Sequence, residues 1–331
     1  MIKVSVIIPT FNRIDYLGEL LASLAKQSYP TELYEVIVVD DGSTDGTRDI
    51  ATATFPFTLR YFWQTNQGDA AARNLGVQHS QADILVFLDD DILVESNYLP
   101  ALLKAHEGFR KRIVVGTEHL WLNDTNPLDL NSSILEIPPG NEDNLVAIPF
   151  ADICSNNMSV RREAYFEIGM MQTLDFPGSS IWCDVDFAYR AYQKNFEFLQ
   201  STLAICYHRD YVAQNLENSK KRMQKVAYRA VVLFQKYPDL LPHLPMFDDK
   251  TPIAWGKDKP ALITRKLARH IASSYLALWG MEWLVDNLKK YYPSSGLLSP
   301  LYRWIVGGYI FQGFREGLRD FGLPQKQNEG V

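Results

Sequence analysis

Residues 84–91 read Ile84-Leu85-Val86-Phe87-Leu88-Asp89-Asp90-Asp91, five apolar residues followed without a break by three carboxylates. An apolar run this short predicts a strand buried in a parallel sheet rather than a helix. Three adjacent carboxylates repel one another unless a cation compensates. A hard divalent ion, Mn2+ or Mg2+, does so with oxygen ligands drawn from one or two carboxylates and from phosphates. The same pattern lies upstream: Pro9-Thr10-Phe11-Asn12-Arg13 follows an apolar run ending at Ile8, and Asp40-Asp41-Gly42-Ser43-Thr44-Asp45 follows one ending at Val39. Strands are expected over Lys3–Ile8, Glu35–Val39, Leu59–Phe62, Ile84–Leu88 and Ile113–Gly116. Tyr16, Leu17, Leu20, Leu21 and Leu24 mark a helix between the first two, and Ala71, Leu75 and Val77 mark a less regular one.

Alternating strands and helices build an α/β sheet in which ligands bind beyond the carboxyl ends of the strands, so the polar loops should converge on one crevice. There Asp40 can accept the imide N–H of a uracil or thymine ring. Asp40-Asp41-Gly42-Ser43 is also a good helix-capping turn, and the acidic triplet a good helix start. Neither a P-loop nor Gly-x-Gly-x-x-Gly is present, which disfavours a P-loop NTPase or a dinucleotide dehydrogenase.

The 331 residues suffice for one large α/β domain with a smaller appended region. Cys154, Cys183 and Cys206 are widely spaced and read as reduced thiols, which fits a cytoplasmic location, and the apolar stretch Val4–Ile8 is too short for a secretory signal. The net charge of −6 hides an asymmetry. Residues 1–210 hold 15 Lys and Arg against 29 Asp and Glu, a balance of −14, and residues 211–331 hold 18 against 10, a balance of +8. The acidic first part argues against a nucleic-acid partner. From Asn215 the pattern turns helical, with a first segment to about Tyr237, a Pro-rich break through Pro260 and further helices beyond Leu262. The domains expected are therefore 1–210 and 211–331. Asn123–Asn144 reads as a long loop over substrate, and Gln325–Val331 as a disordered end.

Taken together these motifs resemble the inverting family-2 glycosyltransferases of GT-A fold, in order, across about residues 3–210. The resemblance implies a Rossmann-like nucleotide-binding domain with a mostly parallel sheet, followed by a helical C-terminal region. It implies a nucleotide-sugar donor held by Pro9, Thr10, Asn12 and Arg13 of the opening loop, Asp40 of the second motif, and Asn66, Gly68 and Arg73 beneath the nucleotide, with Arg73 offsetting diphosphate charge. Phe87-Leu88-Asp89-Asp90-Asp91 is similar to the DXD signature: Asp89 is implied near the ribose, Asp90 stands at the variable position, and Asp91 is a metal ligand, joined by His208. In Ser155-Asn156-Asn157-Met158 the resemblance points to Asn157 on the acceptor side. Trp182-Cys183-Asp184-Val185-Asp186 resembles the acidic helix start that supplies the general base, here Asp184, with Trp182 and Cys183 facing acceptor and Cys183 in place of the usual glutamate.

The metal implied is Mn2+ or Mg2+, the donor a UDP-sugar first and a dTDP-sugar next, and the acceptor a sugar or lipid-linked sugar of polysaccharide, glycolipid or cell-envelope synthesis. Two alternatives are weighed: a sugar-nucleotide nucleotidyltransferase, which usually needs a Gly- and Lys-containing phosphate loop that Pro9–Arg13 lacks, and an inactive nucleotide-sugar-binding module. Asp186 and Arg190, four apart, read as an ordinary ion pair, and Arg161 and Arg162 as an exposed helix start. The +8 balance of the C-terminal region, its aromatics Trp279, Trp283, Tyr291, Tyr292, Tyr302 and Trp304, and the apolar stretch Trp304–Phe314, too short to span a membrane, are compatible with peripheral contact with the inner face of a plasma membrane. The sequence leaves the oligomeric state open.

Overall fold

A computed structural model describes residues 2–120, 144–174, 180–209, 215–292 and 294–322. The chain splits into two compact units, the first ending at Arg209 and the second, among the described residues, running from 215 to 322. The boundary placed near residue 211, the loop expected at 123–144 apart from Asn144, and the end at 325–331 lie outside the described residues.

In the first unit β1 (Val4–Thr10), α1 (Ile14–Leu24), β2 (Tyr34–Asp40), β3 (Thr58–Trp63), α2 (Asp69–His79) and β4 (Ile84–Leu88) follow the expected alternation. Strands β1, β2 and β4 are buried along their whole length, as near-continuous apolar runs should be in a sheet covered on both faces. Helix α1 buries Leu17, Leu20, Leu21 and Leu24 against it. Helix α2 turns differently from the sequence reading: it buries Ala70, Ala72, Arg73, Gly76 and Val77, because its small residues let it lie close on the sheet.

The unit continues with β5 (Ile92–Val94), α3 (Tyr98–Ala105), β6 (Arg112–Leu120), β7 (Leu145–Ala147), β8 (Asn157–Arg161), α4 (Arg162–Ile168), α5 (Cys183–Gln193) and β9 (Glu197–His208). The sheet is mixed, in the order β3-β2-β1-β4-β8-β6-β9-β5, with β7 also on β9. Its first four strands are parallel, whereas β8 runs antiparallel to both β4 and β6, and β5 antiparallel to β9. The β5–β9 pairing sets His208 opposite Ile92, one residue past the acidic triplet.

The second unit contains α6 (Leu216–Lys236), α7 (Pro260–Ala272), α8 (Tyr275–Tyr291) and α9 (Leu298–Phe321). Here the expectation for Trp304–Phe314 is corrected. Ile305, Gly307, Gly308, Ile310, Phe311, Gly313 and Phe314 are buried, so this stretch is the core of the helical unit rather than a surface for lipid. No helix among the described residues is long and apolar enough to cross a membrane.

Candidate active site

The carboxyl ends of β1 and β4 open into a cleft of about 320 Å³ lined by Pro9, Thr10, Phe11, Arg13, Asp41, Asp69, Asp89 and Asp90, a size suited to part of a small organic ligand. Its floor is an ionic lattice. Thr10 Oγ1 donates to Asp90 Oδ2 at 2.8 Å, and Arg13 Nη1 bridges Asp90 Oδ1 at 3.1 Å and Asp91 Oδ2 at 2.7 Å. Burial pushes the Asp90 carboxyl up to about 6 against the opposing pull of Arg13 and Thr10. Asp90 is therefore no bystander: its side chain ties the end of β1 to the turn after β4.

Asp91 faces the C-terminal end of β9. Its Oδ1 is buried and has no hydrogen-bond partner, and His208 Nε2 lies 3.5 Å from it. Glu118 of β6 accepts from His208 Nδ1 at 3.0 Å, which turns the ring toward Asp91. Burial disfavours the imidazolium, but the close carboxylates of Asp91 and Glu118 outweigh it, pushing the His208 pKa up to about 10. Burial would likewise raise the Asp91 carboxyl, yet His208 and Arg13 hold it below the usual range. Among the described residues no three Asp, Glu, His or Cys side chains are grouped so as to hold a metal ion by themselves. An unpartnered carboxylate oxygen facing an imidazole is, however, the partial oxygen–nitrogen donor set that suits a divalent ion completing its shell with phosphate and water.

Asp184 stands in the first turn of α5, where its Oδ1 accepts from the Val185 N–H at 2.9 Å. Enclosure raises its carboxyl above the ordinary range, against the helix N–H, the charge of Arg73 and the Cys154 thiol. Trp182 caps the helix in a left-handed conformation, φ 72°, and Ser180 Oγ accepts from the Ala70 N–H at 3.1 Å, so the approach to α5 lies against the start of α2. Asp186 and Arg190 form the expected ion pair, and the same guanidinium donates to the Ile168 and Met170 carbonyls. Arg161 and Arg162 also have partners: Arg161 donates to the Phe109 and His106 carbonyls and Arg162 to Ser80 Oγ.

Several expected roles change. Asp40 is fully buried, its oxygens taken by the Ser43 N–H at 2.7 Å and the Tyr61 hydroxyl at 2.5 Å, so it caps the turn instead of lining the cleft. Asp41 lines it, held by Gln64, Gln67 and Gly68. Arg73 is buried and committed to Asp69 at 2.9 Å and Asp89 at 2.5 Å, so it positions the triplet instead of reaching a diphosphate, and Asp89 is correspondingly paired. Asn157, expected on the acceptor side, is buried in β8 with its amide spent on the Tyr98 hydroxyl and both backbone groups of Gly116. Cys183 is buried as well, with its thiol pKa raised by burial. Asn12 (φ 53°) joins the first two loops by accepting from Thr44 N–H at 2.7 Å, while Gly68 (φ 89°) caps α2; neither they nor the exposed Asn66 are among the cleft-lining residues. Sequence reasoning missed Phe11, an exposed aromatic at a strand end, and Glu118, whose partner lies 90 residues away.

Residues 5–169 match the sequence family described as glycosyl transferase family 2. Validoxylamine A glucosyltransferase of Streptomyces hygroscopicus subsp. jinggangensis is 38% identical over 140 residues, 41% of this chain and 33% of that protein. Glycosyltransferase AglE of Haloferax volcanii is 40% identical over 102 residues, 29% of this chain and 33% of that protein. The chain thus spans about a third of these relatives' length. Among solved structures, the mannosyltransferase PcManGT from Pyrobaculum calidifontis, in complex with GDP-Man and Mn2+, superposes with a TM-score of 0.60 at 19% identity, over 94% of this chain and 86% of its own. S. aureus TarS 1-349 does so with a TM-score of 0.50 at 17% identity, over 97% and 92%. At these identities the likeness is one of fold.

Proposed function

The chain belongs to glycosyl transferase family 2, and from that premise we propose that it transfers a sugar, with inversion, from a UDP-sugar or, next, a dTDP-sugar to a hydroxyl of a sugar or lipid-linked sugar acceptor. The observation carrying this reading is the cleft at the ends of β1 and β4, with Asp184 at the adjoining helix start. Phe11 offers a face for a base, and Asp41, which lines the cleft with one acceptor site still free, suits a pyrimidine imide N–H better than the fully buried Asp40 does.

Asp184 takes the proton of the acceptor hydroxyl as that oxygen bonds to the anomeric carbon and the bond to the diphosphate oxygen breaks, its electron pair leaving with the nucleoside diphosphate. The raised carboxyl is the better base for it. A Mn2+ or Mg2+ ion at Asp91 and His208 would supply the positive charge that stabilises the departing diphosphate. Arg13, held by Asp90 and Asp91 at the cleft wall, keeps its positive charge there. Asp184 and His208 lie beyond residue 169, so their roles rest on geometry and on the sequence resemblance rather than on the family match.

A thermal-shift panel of UDP-, dTDP- and GDP-sugars with and without Mn2+ tests the donor: the cognate donor raises the melting temperature by linkage. A larger shift with a GDP-sugar would overturn the pyrimidine assignment. Asp184→Asn should keep that shift and lose transfer by about two orders of magnitude or more, the scale for a general base. Full activity in that variant removes Asp184 from the mechanism.

A further inference from the structure

Helix α8 is apolar on both sides, and only one side is used. Leu278 and Val285 are buried, Leu278 where it meets Gly308 and Val285 among Leu298, Tyr302 and Ile305 of α9. On the opposite side Tyr275, Trp279 and Trp283 recur every four residues, exposed by 80%, 68% and 60%, with Leu276 at 83% beside them. Ile271, at the end of α7, adds 71%. Single exposed apolar residues are ordinary, but a contiguous aromatic face marks a surface that something covers.

The charges along this stretch of chain say what. Residues 255–304 hold eight Lys and Arg against three Asp and Glu. Two of the three acids are paired, Asp258 with Lys266 at 2.7 Å and Glu282 with Lys220 at 3.2 Å. Lys257, Lys259, Arg265, Lys289, Lys290 and Arg303 are exposed. A second copy of the chain would set this basic face against itself across a two-fold axis, so like charges oppose a symmetric dimer. An anionic bilayer answers both features: Trp and Tyr rings settle at the headgroup boundary, and Lys and Arg meet the acidic headgroups.

We propose that the α7–α8 corner docks this chain on an anionic lipid surface, with Ile271, Tyr275, Leu276, Trp279 and Trp283 entering the interface and exposed lysines and arginines of the same two helices, Arg265 and Lys290 among them, contacting headgroups. This goes beyond the transfer reaction and narrows the expected membrane contact to one exposed face that keeps Trp279 and Trp283 and drops the buried stretch Trp304–Phe314.

Co-sedimentation of the full chain with phosphatidylglycerol or phosphatidylcholine vesicles tests it. Binding should need phosphatidylglycerol and weaken with salt. Trp279→Ser/Trp283→Ser should weaken it about tenfold or more, and Arg265→Glu/Lys290→Glu should abolish the salt-sensitive part. Both pairs are exposed, so melting temperature and the donor-dependent thermal shift should stay at wild-type values, which separates failure here from failure of the donor reading. Three outcomes overturn the proposal: no binding to phosphatidylglycerol at low salt, equal binding by the tryptophan double variant, or a lipid-free dimer that this variant converts to monomer.

Discussion

With Glu118 accepting from Nδ1, the His208 ring can present only Nε2 to Asp91, and that orientation is what a metal ligand needs. Glu118→Ala should therefore weaken Mn2+ binding, measured calorimetrically on the protein alone, by about 10–100-fold, the usual cost of losing a carboxylate behind a histidine ligand. Glu118→Gln should recover part of it, because its amide oxygen still accepts. Unchanged Mn2+ affinity in Glu118→Ala would show that the ring is held by something else. Asp91→Ala removes the unpartnered oxygen itself, and Mn2+-dependent donor binding should vanish; wild-type, Mn2+-dependent UDP affinity in that variant would refute Asp91 as the anchor.

Close approach of elements depends on a few glycines. A Cβ on Gly76 would come within 2.5 Å of Ile7 Cγ2, so α2 lies on β1 only because that position has no side chain. Gly76→Ala should destabilise the first unit by about 1–3 kcal/mol, as overpacking does, read from denaturant midpoints. Gly313 and Gly317 of α9 play the same part against the Gln224 and Tyr228 backbone of α6. Gly313→Ala should lower the second unit's unfolding temperature, and a neutral result would mean that α6 and α9 separate without loss.

At the scale of the whole molecule, acid sensitivity has an identifiable source in the first unit. His106 is buried with Nε2 2.9 Å from Ser159 Oγ, and burial, aided by the charges of Arg161 and Arg112, pushes its pKa down to about 3. The unfolded chain takes up this proton near pH 6.5 and the folded one refuses it, so the contribution is complete above about 6.5 and is lost at about 1.4 kcal/mol per pH unit as pH falls toward 3. Asp90, raised to about 6, works with the opposite sign below that pH. Comparison with His106→Gln isolates the histidine: the variant should be less stable at neutral pH and lose less on acidification, and parallel losses would exclude His106. The sequence by itself determined the strands β1 to β4, the loops at their carboxyl ends and the helical character of the second unit. Each is a local property, fixed by short apolar runs, turn residues and helical period. What it could not reach depends on partners distant along the chain. Strand β8, antiparallel to both its neighbours, carries polar residues at buried positions, Asn157 and Ser159 among them, whose hydrogen bonds exist only once β6 lies beside it. Likewise Asp40 and Asp41 are equal in sequence, and only the tertiary structure gave one to Tyr61 and the other to the cleft, because a carboxylate's role follows from which donors surround it.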